Sequence, residues 1–247
     1  MDIYSVIILL ITGTLAGFIN VNAGGGSALT LPVLLFLGLD GATANGTNRI
    51  AILIQNISAA SAFKQEKIQD FYTGIKLALV TLPGAIAGAL FAVTINDLWF
   101  KKILAIIMIG IIFTILKPKK ADKNTFNDIQ KTPITTYLSL FAIGFYGGFI
   151  QIGVGFLIMA TLYAQLQLKL VKVNMYKVTI ILFYTIPALL IFIFTKNIDW
   201  ILGFVLAAGN AVGGWIGAKL SVKKGDKLIR IVLIAAISIM ALKLLLI

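Results

Sequence analysis

The chain has 247 residues, of which 60% are hydrophobic and 12% charged, with a mean hydropathy of +1.01 and a formal net charge of +12. Soluble domains run at about 45–50% apolar and roughly 25% charged, so a soluble globular chain is excluded. Cysteine and histidine are both absent, which excludes disulfides, thiol chemistry, histidine triads and His/Cys zinc sites.

The apolar excess recurs along the whole length, in blocks divided by lysine-rich punctuation, as in a polytopic membrane protein. Runs such as Ile103–Ile115 and Ile231–Leu242 do not alternate apolar with polar residues, so the spans are read as helices and not barrel strands. The apolar N-terminus has no basic region before it and no small-residue cleavage pattern, and is read as mature protein.

In chain order, Ile3–Leu39 comes first, 37 residues without a charge. One continuous helix of that length would rise about 55 Å, against a hydrocarbon core of about 30 Å. The stretch is therefore read as a hairpin of two short or tilted helical segments, broken at Gly24-Gly25-Gly26. Glycine costs about 1 kcal/mol per residue inside a helix. Broken backbone at membrane depth is tolerated only where protein buries it or it lines a wet cavity. Three ordinary spans follow, approximately Ala44–Phe63, Phe71–Thr94 and Leu98–Leu116. A polar, basic connector, Lys117–Pro133, leads to Thr132–Leu168, again 37 residues without a charge, with Gly153 and Gly155 near its middle. The last spans are approximately Val173–Thr195, Trp200–Lys219 and Leu228–Ile247.

An offset of 129 residues superimposes the two halves: the glycine breaks, Asn45 on Asn174, Asn48 on Lys177, Gly84-x-x-x-Gly88-Ala89 on Gly213-x-x-x-Gly217-Ala218, and Lys101 on Arg230. The predicted organisation is a first transmembrane repeat at 1–117, a cytoplasmic connector at 118–133 and a second repeat at 134–247. With a hairpin plus three spans per half, the two repeats are inverted. Placing the connector in the cytoplasm puts 16 Lys and Arg residues inside and 5 outside, with both chain termini outside. It also puts Trp99 and Trp200 at the outer interface. The predicted location is a prokaryotic inner or plasma membrane. The fold class expected is thus all-α and polytopic: two inverted repeats, each a glycine-broken hairpin followed by three transmembrane helices.

Inverted repeats with interrupted helices are a recurrent plan of secondary transporters, with substrate near the midplane at the repeat interface. Amide groups freed at the start of a half-helix suit an anion. The first break offers Asn20, Asn22, Gly24, Gly25, Gly26 and Ser27; the second offers Gln151, Gly153 and Gly155. No Asp or Glu lies well inside a span, because Asp40, Asp70, Asp97 and Asp199 all fall at span ends. Arg49 and Lys177 lie about a turn inside their helices. Ionisable groups within spans are costly and are read as functional. Snorkelling to the interface is the competing reading for both. Thr47, Asn48 and Asn174, beside these cations, complete the candidate substrate-binding set. Gly84, Gly88, Gly213 and Gly217 are read as helix-packing contacts.

Ala16-Gly17-Phe18-Ile19, the Ala23-Gly24-Gly25-Gly26 run, Pro32, Gly46-Thr47-Asn48, Gly144-x-x-Gly147-Gly148 and Asn174-x-x-Lys177 together resemble the sulfite exporter TauE/SafE family over nearly the whole chain. The resemblance implies membrane transport of small sulfur-containing anions such as sulfite, thiosulfate or organosulfonates. The second half departs from the fuller pattern: Gln151-Ile152-Gly153-Val154-Gly155 has fewer glycines, and Tyr176 stands where the first half has Thr47.

The expected function is a secondary carrier of a small sulfur-containing anion, with an anion channel through the same cationic pore as the alternative. An enzyme is not expected, since no nucleophile, acid–base pair or metal site is visible in the spans. A cation carrier would show midplane carboxylates. The expected partners are the anionic substrate and the lipid bilayer, with no nucleic acid, no metal and no cofactor; a homo-oligomer is compatible with the sequence.

Overall fold

The computed structural model describes residues 2–68, 70–104, 106 and 132–245. The described residues are all-helical, with no strand. The helices are α1 (Ile3–Asn22), α2 (Ser27–Phe36), α3 (Gly41–Gln65), α4 (Phe71–Thr94), α5 (97–104), α6 (Ile134–Phe149), α7 (Val154–Leu166), α8 (Leu170–Phe194) and α9 (Trp200–Leu245). The expected connector and the rest of the Leu98–Leu116 span fall largely outside the described residues.

Each 37-residue stretch folds as two helices with a break at its glycines. The first hairpin is less even than expected. With 20 residues α1 rises about 30 Å, a full hydrocarbon thickness, and only α2, with 10 residues, is short. In the second half the last two spans meet at a kink: Gly225, with φ 61° and ψ −158°, is not helical and separates two helices within Trp200–Leu245.

Among the described residues, four helices are long and apolar enough to cross a membrane: Ile3–Asn22, Phe71–Thr94, Leu170–Phe194 and Trp200–Ile229. Their outer faces carry large apolar side chains. On α1, Ile3, Ile7, Ile11 and Leu15 form an exposed i, i+4 stripe, while Gly13, Ala16, Gly17 and Asn20 face inward. An apolar exterior around a small and polar interior fits hydrocarbon as the solvent. The chain is a polytopic helical membrane protein. α3 is also 25 residues long, but it carries Asn45, Thr47, Asn48, Arg49, Gln55 and Asn56, all buried.

Small residues set the packing. α1 lies against α9, and α4 against α6. A Cβ on Gly213 would sit 2.8 Å from the Phe18 nitrogen, and one on Gly84 would sit 2.7 Å from the Phe145 nitrogen. Gly17 meets Gly214, and Gly148 meets Ala85, at similarly close range. Residue numbers rise together along both pairs, so each pair runs parallel. The helix-packing role expected for Gly84, Gly88, Gly213 and Gly217 is what these contacts describe. α3 packs on α9, α8 packs on α4, and α3 and α8 meet each other.

The four expected span-end carboxylates lie at helix starts. Asp40 accepts from the Thr43 amide at 3.0 Å, Asp199 from the Leu202 amide at 2.9 Å, and Asp97 from the Gly41 amide at 2.6 Å. Asp70 is the residue before α4. Acceptors placed there satisfy amides that lack a partner within their own helix.

Candidate functional site

The two glycine breaks touch. Gly24 has φ +87° and Gly153 has φ +71°, the left-handed conformation that glycine adopts without a Cβ penalty. These two residues are 129 apart. A Cβ on Gly24 would lie 2.5 Å from the Gly155 Cα, and a Cβ on Gly155 would lie 2.9 Å from the Gly24 carbonyl oxygen. Backbone packs directly on backbone at this point, so glycine is required at both positions.

Beside the contact lies a cavity of about 10 Å³, lined by Asn20, Ser27, Ile52, Gln151, Val154, Gly155, Ile181 and Tyr184. It has room for roughly one water. The helices after the breaks begin here: Ser27 opens α2 and Val154 opens α7, and neither helix has a side-chain cap on its first amides. Helix starts of this kind carry partial positive charge. Amide side chains surround the cavity. Asn20 and Asn210 both donate to the Gln55 side-chain oxygen, at 3.2 and 3.3 Å. Gln151 donates to the Thr185 hydroxyl at 3.2 Å, and its own side-chain oxygen has no partner.

Arg49 and Lys177 do not snorkel. Both are buried to within 1% of complete, and among the described residues no Asp or Glu is buried. The Lys177 ammonium donates to the carbonyl oxygens of Asn20 at 3.0 Å and Val21 at 2.5 Å, and to the Asn174 side-chain oxygen at 3.1 Å. The Arg49 guanidinium donates to the carbonyl oxygens of Gly147, at 3.3 Å, and Gly148, and lies 4.7 Å from the centre of the Phe192 ring. Each cation thus sits on the carbonyl end of the helix that enters a break, where the helix dipole is negative. Each also reaches across from the other half of the chain.

The other sequence candidates divide into two groups. Asn20, Ser27, Gln151 and Gly155 line the cavity; Gly24, Gly25, Gly26 and Gly153 shape the breaks beside it. Asn22 donates to the Phe18 and Gly217 carbonyls, Asn48 accepts from the Thr30 hydroxyl at 2.7 Å, and Asn174 accepts from Lys177. Thr47 accepts from the Asp199 amide at 2.9 Å, at the start of α9, and is not among the lining residues. Residue pattern alone misses Ile52, Ile181, Tyr184, Thr185 and Asn210, and leaves Gln55 out of the candidate set. Ile52 and Ile181, and Gln55 and Tyr184, are each 129 residues apart and so fall at equivalent positions of the two halves.

The same offset pairs two contacts at the ends of the helices. Asp70 and Asp199 are 129 apart, as are Thr47 and Tyr176. Thr47 meets Asp199, and the Tyr176 hydroxyl donates to the Asp70 carboxylate. Asp70 also accepts from Thr73 at 2.8 Å and pairs with Lys172 at 3.2 Å. Partial burial works to raise the Asp70 pKa, but the hydrogen bonds from Tyr176, Thr73 and Lys172 outweigh it and hold the carboxyl below its ordinary value. A depressed folded-state pKa contributes stability that is present above the unfolded value and lost as pH falls through the folded one. Asp70→Asn should therefore lower the unfolding temperature at neutral pH. The gap from wild type should narrow in acid, below about pH 4. A gap that is constant from neutral to acid would show that the Asp70 charge plays no part.

The family model described as sulfite exporter TauE/SafE matches residues 9–244. The chain belongs to the sulfite exporter TauE/SafE family. It is similar to the "Probable membrane transporter protein YfcA" of Escherichia coli (strain K12), 29% identical over 239 residues, covering 96% of this chain and 88% of that protein. It is also similar to a "Probable membrane transporter protein" of Haemophilus influenzae, 29% identical over 224 residues, covering 90% of this chain and 88% of the relative. A third relative, the "Probable membrane transporter protein YunE" of Bacillus subtilis (strain 168), is 26% identical over 262 residues, covering 93% and 95%. No solved structure matches the chain. Family membership and the helical spans together make this a multi-pass protein of a membrane transporter family.

Proposed function

We propose that this protein is a secondary carrier of a small sulfur-containing anion, binding it between the two glycine breaks and moving it by alternating access. The observation that carries the reading is the pair of buried cations, Arg49 and Lys177, with no buried carboxylate among the described residues, beside two uncapped helix starts that face one cavity. Buried charge without a counter-ion is costly in a low-dielectric interior, and an arriving anion relieves that cost. At an effective dielectric of about 20, a unit anion about 8 Å from a unit cation gains about 2 kcal/mol. The substrate contacts we assign are the Asn20, Ser27 and Gln151 side chains and the amides around Gly25, Gly26 and Gly155. The present cavity holds roughly one water, so binding an oxyanion requires the breaks to part. Family membership supports sulfite, thiosulfate or an organosulfonate as the substrate class.

Two features support a pair of inverted repeats, at 1–117 and 134–247, on either side of the 118–133 connector. α1 packs on α9 as α6 packs on α4, so each half lends its entering helix to the other. The Thr47–Asp199 and Tyr176–Asp70 contacts fall at repeat-equivalent positions. We assign them as latches at opposite ends of the pathway, the Asp70 end cytoplasmic and the Asp199 end external, with both chain termini external. Removing buried Arg49 and Lys177 from the charge count leaves 15 basic residues inside and 4 outside, so the orientation stands without them.

The test is unfolding of the detergent-purified protein, titrated with a panel of anions and cations at fixed ionic strength. Sulfite, thiosulfate or an organosulfonate should raise the unfolding temperature progressively with concentration, stabilising the fold by about 2.7 kcal/mol at a hundredfold excess over Kd. Stabilisation by a cation or neutral solute alone would overturn the anion reading.

A further inference from the structure

Lys177 has no hydrogen-bonding capacity left for a substrate. An ammonium carries three donors, and three oxygens take them: the Asn20 carbonyl, the Val21 carbonyl and the Asn174 side chain, at 2.5–3.1 Å, with the Met159 sulfur a fourth contact at 3.5 Å. Two of these oxygens belong to the last turn of α1, just before it breaks. In carriers built on interrupted helices, such carbonyl ends are where sodium ions are coordinated. The second half repeats the arrangement. Arg49 sits on the Gly147 and Gly148 carbonyls, and Asn20 and Val21 are each 127 residues from these partners. The 127-residue spacing here, against 129 at the breaks, reflects two extra residues between the end of α6 and Gly153.

We propose that the Lys177 ammonium occupies a monovalent-cation site at the carbonyl end of α1, so that the chain carries a tethered cation where a sodium-coupled carrier would bind an ion. Arg49 is its counterpart at the end of α6. Both are positioning residues: they neutralise the carbonyl ends of the entering helices and leave the positive starts of α2 and α7 to face the anion. The consequence for transport rests on the carrier reading above; the cation site stands on the oxygen cradle alone. An anion carrier of this design needs no sodium at this position.

The test is Lys177→Met, which empties the cradle while keeping a long apolar stem. Unfolding is followed in sodium, lithium, potassium and choline chloride at equal ionic strength. The wild type should unfold at one temperature in all four salts. Lys177→Met should be destabilised in choline and recover as sodium or lithium is added, the folded-to-unfolded ratio rising about 100-fold at a hundredfold excess over Kd. Adding Asn174→Ala to Lys177→Met removes one oxygen and should weaken that sodium affinity at least about tenfold, a change that loss of packing alone would not give. Indifference of Lys177→Met to the cation overturns the proposal, as does sodium-dependent stability of the wild type. If Lys177→Met is recovered folded only from sodium-containing buffer, the proposal is supported; if neither it nor Lys177→Gln folds in any of the salts, it is overturned. Wild-type anion titration is read separately, so failure of the cation site and failure of the anion reading remain distinct results.

Discussion

Gly24→Ala should abolish stabilisation by the anion and lower the unfolding free energy by about 2–5 kcal/mol. Two costs contribute, and other glycines separate them. The left-handed conformation at Gly24, φ +87°, costs a non-glycine residue about 1–2 kcal/mol. The added methyl would also drive into the Gly155 backbone, and overpacking of this kind costs about 1–3 kcal/mol. Gly38 has φ +93° but nothing within 4 Å of its Cβ position, so Gly38→Ala carries the conformational cost alone, about 1–2 kcal/mol, and should keep the anion response. Gly155 has no positive φ and meets Gly24 directly, so Gly155→Ala carries the contact cost alone and should lose the response. Equal losses in Gly24→Ala and Gly38→Ala, with the anion response intact in both, would show that the abutting breaks are not the site.

The second large effect concerns the two end contacts. The chain has no cysteine, so introduced thiols have no background. In one variant Asp70 and Tyr176 become cysteines, and in the other Thr47 and Asp199 do. A short bis-methanethiosulfonate reagent can bridge either pair, and reductant reverses the bridge. Either bridge alone should arrest transport in proteoliposomes, and reduction should restore it. The carrier reading also makes the ends mutually exclusive: with the 70/176 end bridged, a single cysteine at 199 should label faster with a membrane-impermeant reagent, and the converse should hold with the 47/199 end bridged. A channel opens both ends together, and bridging one would leave labelling at the other unchanged. The Tyr176–Asp70 contact, with its ion pair to Lys172, is the stronger of the two. Asp70→Asn should therefore shift labelling toward an inward-open state, while Thr47→Val shifts it outward.

Much of this architecture was legible in the residues. The Phe71–Thr94 span has the bounds expected of it. The charge-free stretches break near their glycines, because a 37-residue helix is too long for the bilayer and because three consecutive glycines in the first half, and a left-handed Gly153 in the second, do not continue a helix. Hydrophobic periodicity did not show where polar side chains in a span point. Lys177 and its partner Asn20 are 157 residues apart, and nothing local to Asn174-x-x-Lys177 indicates that the ammonium turns to a helix end and not to substrate or to the interface. Thr47 illustrates the same gap. It lies in the Gly46-Thr47-Asn48 motif and reads as a ligand, yet its hydroxyl accepts from the amide of Asp199, the residue before a distant helix. The kink at Gly225 falls within the charged segment Lys223, Lys224, Asp226 and Lys227, which reads as the gap between the last two spans. The remaining lining residues Ile52, Ile181 and Tyr184 look like ordinary span sequence, and nothing local to them marks a cavity.

The measurement that tests the central claim most directly is counterflow in proteoliposomes. Vesicles preloaded with unlabelled sulfite or thiosulfate are diluted into a trace of the same anion carrying a sulfur radiolabel. A carrier with one site exposed alternately to the two sides predicts transient accumulation of label above its equilibrium level, saturable in the internal anion and absent from Gly24→Ala vesicles. Label that only equilibrates, at a rate proportional to concentration and unaffected by internal anion, would contradict the carrier and leave a channel.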